Sequence, residues 1–290
     1  MKTLTRVAEM QLAAAGARGM GRRIGFVPTM GALHEGHVSL VRAAKQRADL
    51  TVVSIFVNPA QFGPGEDYRS YPRDRAADSA LLIREGVDIL FAPDAEEIYP
   101  PDFQTSVLVE RLSEPLCGRF RPGHFRGVAT VVLKLFNIVS PDGAFFGRKD
   151  AQQSIIIQRL VRDLNLPIEV VVCPIVREPD GLAMSSRNAY LSAEERAAAP
   201  VLHRSLERAR ELLLGGERRA GILIGEMRKL VEAEPRARMD YIEAVDAATL
   251  SPLALLSGRV LLALAVWIGA ARLIDNMLIE ISPEQVTLEL

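Results

Sequence analysis

The chain has few of the features that place a protein of its length in a familiar class. Only two cysteines, Cys117 and Cys173, occur among 290 residues, so no disulfide framework is expected and a reducing compartment is favoured. The 35 basic side chains are balanced by 36 acidic ones, which argues against a broad nucleic-acid-binding face. A length of 290 residues suits one large domain or two ordinary ones.

Long apolar runs are also missing. The most apolar stretch, residues 260–271, is bounded by Arg259 and Arg272 and is too short to span a bilayer, so it is predicted to be a buried strand. The basic N-terminal region has some resemblance to a targeting peptide, but Glu9 interrupts it and no clear cleavage site follows. An amphipathic helix is the better prediction there, and we expect a cytoplasmic protein without a membrane partner.

The usual nucleotide-binding signatures are absent as well. The sequence contains neither a Walker A pattern nor G-x-G-x-x-G at the start of a helix. What it does contain is IGFVPTMGALHEGH, from Ile24 to His37. Residues 24–27 are typical of a strand, which Pro28 is expected to end, and a helical pattern begins at His34 after a turn that includes Gly31.

Two histidines of this stretch, His34 and His37, fall on one face of the predicted helix in its first turn. Unpaired N–H groups and the positive end of the helix dipole make such a place suitable for the phosphates of a nucleotide. Two alternatives remain open: ordinary helix-surface residues, or half of a metal site. HEGH does not have the spacing of the zinc motif H-E-x-x-H, and only two other histidines exist, so zinc is poorly supported.

Helical and strand-like segments alternate along the first part of the chain, and the strands are apolar on both faces. This pattern predicts an α/β fold, a doubly wound parallel (Rossmann-like) sheet, followed by a smaller C-terminal α+β domain. The motif REPDG, with its proline and glycine, marks the predicted boundary, giving domains at residues 1–176 and 177–290. The predicted strands of the first domain are 24–27, 50–57, 88–92, 105–110, 143–146 and 168–176.

Polar residues gather where these predicted strands end. Ligands of doubly wound sheets bind outside the carboxyl ends of the strands. Four such ends carry distinctive polar groups: residues 29–37, 58–61, 147–150 and those from Arg177 onward. We therefore expect one crevice lined by all four.

Two further groups could serve a nucleotide. Lys149 could place a fixed charge on a phosphate, although most lysines are simply solvated. The loop from Met184 to Asn188 offers two hydroxyls and a guanidinium that could stabilise departing pyrophosphate. The alternative for this loop is a turn before a helix that begins near Ser192.

Five segments, taken together, resemble a known family. HEGH and MSSRN are similar to the HIGH and KMSKS signatures of a nucleotidyl-transferring α/β superfamily that includes class I aminoacyl-tRNA synthetases. The segments PTMGALHEGH, SIFVNPAQF, YPRD, FFGRKDAQQ and VREPDGLAMSSRN occur in the order typical of the pantothenate synthetase (pantoate–β-alanine ligase) family. The resemblance implies ATP-dependent joining of pantoate and β-alanine through pantoyl adenylate, with release of AMP and pyrophosphate. It also implies Mg²⁺ with the ATP, and a homodimer.

The resemblance further assigns roles to individual residues. It implies catalytic roles for His34, His37, Lys149, Ser185 and Arg187, with the position of His37 treated by the family as a proton donor. The implied ATP contacts are Met30, Gly31, Ala32, Leu33, His34, Glu35, Gly36, His37, Gly147, Arg148, Lys149, Asp150, Val176, Met184, Ser185, Ser186 and Arg187. The resemblance implies that Gln61 and Gln153 bind pantoate and that Gln61 also binds β-alanine. It implies that Asp78 contacts Mg²⁺. Asn58 and Arg121 are further candidates.

One departure from the family pattern is Arg148, which stands where an acidic residue is common. Because its neighbours in the motif are intact, we expect its side chain to point away from the nucleotide. Two other functions remain as alternatives at this point: another adenylyltransferase of the HIGH superfamily, and a nucleotide-binding regulator without catalysis. A tRNA synthetase is disfavoured by the lack of an anticodon-binding extension.

Overall fold

The structure is a computed structural model that describes residues 1–282 and 285–290. The chain forms two compact units, each assembled from separate stretches. The first comprises Met1–Ser113, Arg121–Arg148 and Ile156–Cys173, and the second comprises Glu114–Phe120, Lys149–Ile155 and Pro174–Leu290. The domain boundary predicted at residue 177 stays a prediction. Within the described residues, no helix has both the length and the apolarity needed to cross a bilayer.

A six-stranded parallel sheet forms the centre of the first unit. Its strands are β1 (Lys2–Leu4), β2 (Ile24–Thr29), β3 (Leu50–Ile55), β4 (Ile89–Phe91), β5 (Gly143–Gly147) and β6 (Glu169–Cys173). They lie in the order β1-β4-β3-β2-β5-β6, and every pairing is parallel. The predicted doubly wound α/β architecture is thereby confirmed.

Helices cover both faces of this sheet. Successive strand residues point to opposite faces, so Phe145 and Phe146 of β5 define the two sides. Phe145 belongs to the apolar cluster that also contains Val41, while Phe146 meets the ring of Phe136 edge-on at 6.4 Å. The helices before residue 174 are α1 (Val7–Gly19), α2 (Glu35–Lys45), α3 (Arg75–Arg84), α4 (Ala95–Ile98), α5 (Cys117–Phe120), α6 (His124–Val139) and α7 (Ala151–Asp163).

Two predicted details of this unit are wrong. Pro28 does not end β2 but pairs in register with Ser54, one residue before the strand ends. On its other edge β2 pairs with β5 only at Gly25 and Phe26, so Pro28 lies where that edge has no partner and a missing N–H is tolerated. The segment predicted as a strand, residues 105–110, lies outside every described strand.

The order of the strands shows where the direction of the chain connections changes. Chain connections run one way from β2 through β3 to β4, and β5 lies on the other side of β2. The switch in direction therefore falls between β2 and β5, and ligands of doubly wound sheets bind outside such a switch point. The segments that leave these two strands are the turn at Met30–Leu33 and the short 3₁₀ helix Arg148–Asp150.

The second unit is built on an antiparallel sheet. Its strands, β7 (Ala237–Asp246), β8 (Gly258–Ile268), β9 (Ala271–Ile281) and β10 (Val286–Glu289), lie in the order β10-β9-β8-β7. Helices α8 (Ala193–Ala198), α9 (Val201–Leu214) and α10 (Ala220–Glu232) share an apolar core with it. The sequence predicts one helix over 193–214. Two form instead, because Pro200 lacks the N–H that a continuous helix requires.

Candidate active site

The turn after β2 is held in an unusual backbone conformation by a buried carboxylate. Gly31 and Ala32 have φ angles of 85° and 50°. One oxygen of Asp78 accepts the N–H of Ala32 at 2.9 Å, and the other accepts that of Leu33 at 2.8 Å. A positive φ is costly for alanine, and two hydrogen bonds to a charged group offset that cost. Asp78, on α3, is thus a structural clamp on the turn.

The surroundings of Asp78 have opposing effects on the pKa of its carboxyl group. Burial raises the pKa of its carboxyl above the ordinary value, while the bonds from Leu33 and Ala32 oppose the rise and the charge of Asp74 adds to it. Asp78 was expected to contact Mg²⁺, but both its oxygens already accept backbone N–H groups. Among the described residues, no group of three or more histidine, cysteine or acidic side chains could hold a metal.

His34 and His37 begin helix α2, as predicted. His34 is the N-cap, and its Nδ1 accepts the N–H of Gly36 at 3.1 Å. The Nδ1 of His37 in turn accepts the N–H of His34 at 3.3 Å, and the two ring centroids are 4.2 Å apart. Each ring therefore uses Nδ1 as an acceptor.

This arrangement fixes the chemistry of both rings. A neutral imidazole whose Nδ1 accepts a hydrogen bond carries its proton on Nε2. Both rings consequently present Nε2–H as the donor, which suits a phosphoryl oxygen at the helix start. Glu35, between them in sequence, is exposed and pairs with Arg42.

The turn after β3 carries the second predicted group. Asn58 caps the 3₁₀ helix Pro59–Gln61, and its Nδ2 donates to Gln61 Oε1 at 3.0 Å and to the Gly127 carbonyl at 3.1 Å. A Cβ on Gly127 would lie 2.1 Å from the carbonyl oxygen of Ala60, so only glycine lets α6 come this close. Gln61 is 9% exposed, and its Nε2 is 3.0 Å from the sulfur of Met30.

The backbone of Gln61 is held as well. Its carbonyl oxygen is 2.8 Å from Nδ1 of His124 and accepts from Arg121 Nη2 at 3.3 Å. Arg121 also forms a two-bond ion pair with Glu66 at 2.6 and 2.8 Å. The guanidinium is thus occupied by Glu66 and by the Gln61 carbonyl. His124 and Glu66 were missed as site residues, because each reaches this turn only through a partner distant in sequence.

In the second unit, Lys149 and Ser185 lie within hydrogen-bond distance of each other. Lys149 Nζ donates to Ser185 Oγ at 3.4 Å, and the Lys149 carbonyl accepts from Asn276 Nδ2 at 3.0 Å. Ser185 also caps the 3₁₀ helix Ser186–Tyr190 by accepting the N–H of Arg187 at 3.3 Å. Ser185 therefore does both things that were considered for it: it caps a turn, and it accepts a hydrogen bond from a cationic side chain.

The remaining predicted residues are described by their own contacts and burial. Val176 and Met184 are joined by a backbone hydrogen bond of 3.0 Å, and Arg177 pairs with Asp275 through two bonds of 2.7 and 3.0 Å. Gln153 is half-buried in the first turn of α7. The half-buried residues Gly147, Arg148, Ser186 and Arg187 and the exposed Asp150 complete the predicted set.

Three buried polar residues of this unit were missed from the sequence. Gln152 accepts from Cys117 N at 3.0 Å and donates to the Pro115 carbonyl at 2.8 Å, and Asp275 and Asn276 are each 2% exposed on β9. An adjacent polar pair inside an apolar strand was the available signal. The orientation of Arg148 stays a prediction, as does the assignment of both groups of residues to one ATP molecule.

Known proteins resemble the chain over nearly its whole length. Residues 2–278 match the family model for pantoate-beta-alanine ligase. A pantothenate synthetase from Moorella thermoacetica is 55% identical over 282 residues, covering 97% of this chain and all of the relative. One from Heliobacterium modesticaldum is 60% identical over 261 residues, covering 90% and 93%.

Solved structures agree with this. Pantothenate synthetase from Thermus thermophilus superimposes with a TM-score of 0.91 at 49% identity, covering 95% of this chain and 98% of that one. A ligase from Francisella tularensis, solved with an ATP compound and β-alanine, gives 0.79 at 34% identity, covering 95% and 97%. This chain belongs to the pantoate–β-alanine ligase family.

Proposed function

We propose that this protein joins pantoate and β-alanine to form pantothenate, using ATP and releasing AMP and pyrophosphate. The family match over residues 2–278 carries the proposal. The relatives described above are pantothenate synthetases, so neither a different adenylyltransferase nor a regulator without catalysis is favoured. The Francisella ligase was solved with an ATP compound and β-alanine, the same two small molecules that the proposal requires.

The first step is attack of the pantoate carboxylate on the α-phosphorus of ATP. An anion must approach a polyanion, so the site has to supply donors and positive charge at the phosphoryl oxygens. His34 and His37 supply Nε2–H donors at the start of α2, and Lys149, beside Ser185, supplies a cation. We assign His37 the role of a hydrogen-bond donor to a phosphoryl oxygen. Arg187 and Ser185 would stabilise the charge on departing pyrophosphate.

The second step is attack of the β-alanine amine on the acyl carbon of pantoyl adenylate. The new C–N bond forms as the bond to AMP breaks, the amine nitrogen loses a proton to solvent, and AMP is a far better leaving group than the oxide of a free carboxylate. Gln61 and Gln153 are assigned to pantoate, and Gln61 also to β-alanine. Neutral amides can orient hydroxyl and carboxylate groups without neutralising the nucleophile.

Mg²⁺ is proposed to accompany ATP, bound chiefly by the phosphates and water, as is usual for this ion. Asp78 does not fit as its principal ligand because both oxygens hold the turn at Ala32 and Leu33. Mg²⁺ bound to the triphosphate would supply positive charge there.

A cytoplasmic homodimer completes the proposal. Residues 105–110 alternate in sequence like a strand, yet they belong to no described strand: Val107 hydrogen-bonds only the side chain of Thr130, and Leu108 is 54% exposed. A second copy of the chain would give this segment a strand partner and cover Leu108. Sedimentation of the wild type and of Leu108→Asp tests this: a dimer that the substitution dissociates is expected, and an unchanged mass contradicts the assignment of the interface.

The function itself is tested by ATP–pyrophosphate exchange with and without pantoate. We expect exchange that requires pantoate and does not require β-alanine, because the adenylate forms before the amine reacts. With β-alanine present, pantothenate and AMP should appear in equal amounts. Release of ADP, or exchange that ignores pantoate, would contradict the proposal.

A further inference from the structure

A chain of hydrogen bonds runs from a residue outside the predicted site to Gln61. The hydroxyl of Tyr99, just after α4, donates to Asn58 Oδ1 at 2.9 Å. Asn58 Nδ2 then donates to Gln61 Oε1 at 3.0 Å. The chain ends at Gln61 Nε2, which faces the sulfur of Met30 at 3.0 Å.

The direction of this chain is fixed by groups that have only one role. The Gly127 carbonyl can only accept, so it must face Asn58 Nδ2, and the Ala60 N–H can only donate, so it must face Asn58 Oδ1. Asn58 Oδ1 offers Tyr99 no proton, so the hydroxyl of Tyr99 has to donate. Asn58 is 1% exposed, and its amide is saturated by these four contacts. It therefore acts on Gln61 and not on a substrate.

Gln61 consequently has one orientation. Its Oε1 accepts a hydrogen bond from Asn58, so its Nε2 is the end that faces Met30 and is not used by the hydrogen bonds from Tyr99 and Asn58. A thioether sulfur is a weak acceptor, and a hydroxyl or carboxylate oxygen of a substrate would be a better one. Hydrogen bonds in such a chain polarise one another, which strengthens the last donor.

Tyr99 is itself firmly placed. Its ring packs edge-on against Phe103 at 5.1 Å and near Phe56 at 6.2 Å, and Lys134 Nζ lies 5.6 Å from its centroid. Burial raises the pKa of Tyr99 to about 12, so the hydroxyl keeps its proton at neutral pH. Its 2.9 Å bond to Asn58 is shorter than the 3.3 Å bond from the Ala60 N–H.

We propose that Tyr99 is a positioning residue for the acid substrate, acting through Asn58 to hold the amide of Gln61 with its donor end toward pantoate. Nothing in the family motifs points to this tyrosine, which lies outside all five matched segments. The inference rests on the proposed function, because it needs Gln61 to contact pantoate.

Steady-state kinetics of Tyr99→Phe test the inference, because phenylalanine keeps the ring contacts and removes only the hydroxyl. We expect kcat/KM for pantoate to fall about tenfold, the scale of one lost hydrogen bond, while KM for ATP changes less than about twofold. Tyr68→Phe is the matched control, since it removes the hydroxyl of a tyrosine whose ring contacts Phe62, and it should leave both constants unchanged. Equal effects on the ATP and pantoate constants would overturn the inference.

A double-mutant cycle shows whether Tyr99 acts through Gln61. In a Gln61→Ala background, the further loss on adding Tyr99→Phe should be less than about twofold, because the amide to be positioned is gone. A full tenfold loss in that background would overturn the inference. If the wild-type enzyme makes no pantothenate, the proposed function itself fails. If the wild type is active and Tyr99→Phe equals it, only the role of Tyr99 fails.

Discussion

The parallel sheet of the first unit and the antiparallel sheet of the second place their important polar residues differently. In the first, they follow the strands: the turn with His34 leaves β2, and the turn with Gln61 leaves β3. In the second, Asp275 and Asn276 lie in the middle of β9 and hold Arg177 and the Lys149 carbonyl. Strand ends can therefore serve chemistry, while residues inside strands hold the segments that do.

The largest expected effect tests the structural half of this comparison. Asp275 is buried and Arg177 nearly so, with side chains 1% and 15% exposed. Asp275→Asn leaves the guanidinium without its countercharge, so the free energy of unfolding should fall by about 3–5 kcal/mol. Urea denaturation measures this. Asp180→Asn, in an exposed pair with Arg196, is the control and should cost about 1 kcal/mol or less. Similar losses in the two variants would contradict the comparison.

Substituting Lys149 tests the part of this comparison that concerns chemistry. Lys149→Ala removes a cation assigned to the phosphates, and pantoate-dependent ATP–pyrophosphate exchange should slow by at least about 100-fold. Lys229→Ala, which removes a lysine from the surface of α10, is the control and should leave the rate unchanged. Near-normal exchange in Lys149→Ala would refute its role.

Asp78 should have a smaller effect on the nucleotide site. Asp78→Asn keeps one acceptor but turns an amide N–H toward a backbone N–H, so the turn at Ala32 and Leu33 loosens. We expect kcat/KM for ATP to fall about tenfold, with no change in the Mg²⁺ concentration that gives half-maximal activity. A large increase in the Mg²⁺ requirement would instead make Asp78 a metal ligand.

Glu66 should make the free energy of unfolding depend on pH. Burial opposes its charged form, but the hydrogen bonds and charge of Arg121 outweigh burial, and the pKa lies below the ordinary value of 4.5. The folded state thus releases this proton more readily than the unfolded state. The stability that Glu66 contributes is present above pH 4.5 and is lost as the pH falls through the folded value. The unfolding free energies of wild type and Glu66→Gln should therefore converge between pH 6 and 3; divergence would contradict this.

The smallest effect is expected at the acidic residue of HEGH. Glu35 is exposed and pairs with Arg42 on the helix surface, so Glu35→Ala should leave the exchange rate within about twofold of wild type. A large loss of activity in Glu35→Ala would show that its carboxylate reaches the substrates.

Some of the site could be predicted because its signal is local. His34 and His37 were found from a strand, a turn and a helix start within fourteen residues, and Lys149 and Ser185 were found from short motifs. Tyr99, His124 and Glu66 were missed because each acts through a partner distant in sequence: Tyr99 reaches Asn58 across 41 residues, and His124 reaches the Gln61 carbonyl across 63. No periodicity or spacing records such contacts.

The sequence by itself determined the alternating strands and helices, the absence of a bilayer-spanning run, and the family, because these depend on residues close together in the chain. Only the tertiary structure decided that Asp78 clamps the turn after β2, that Arg121 forms an ion pair with Glu66, and that the amide of Gln61 has a single orientation. Each of those outcomes follows from hydrogen-bond partners that folding alone brings within about 3 Å.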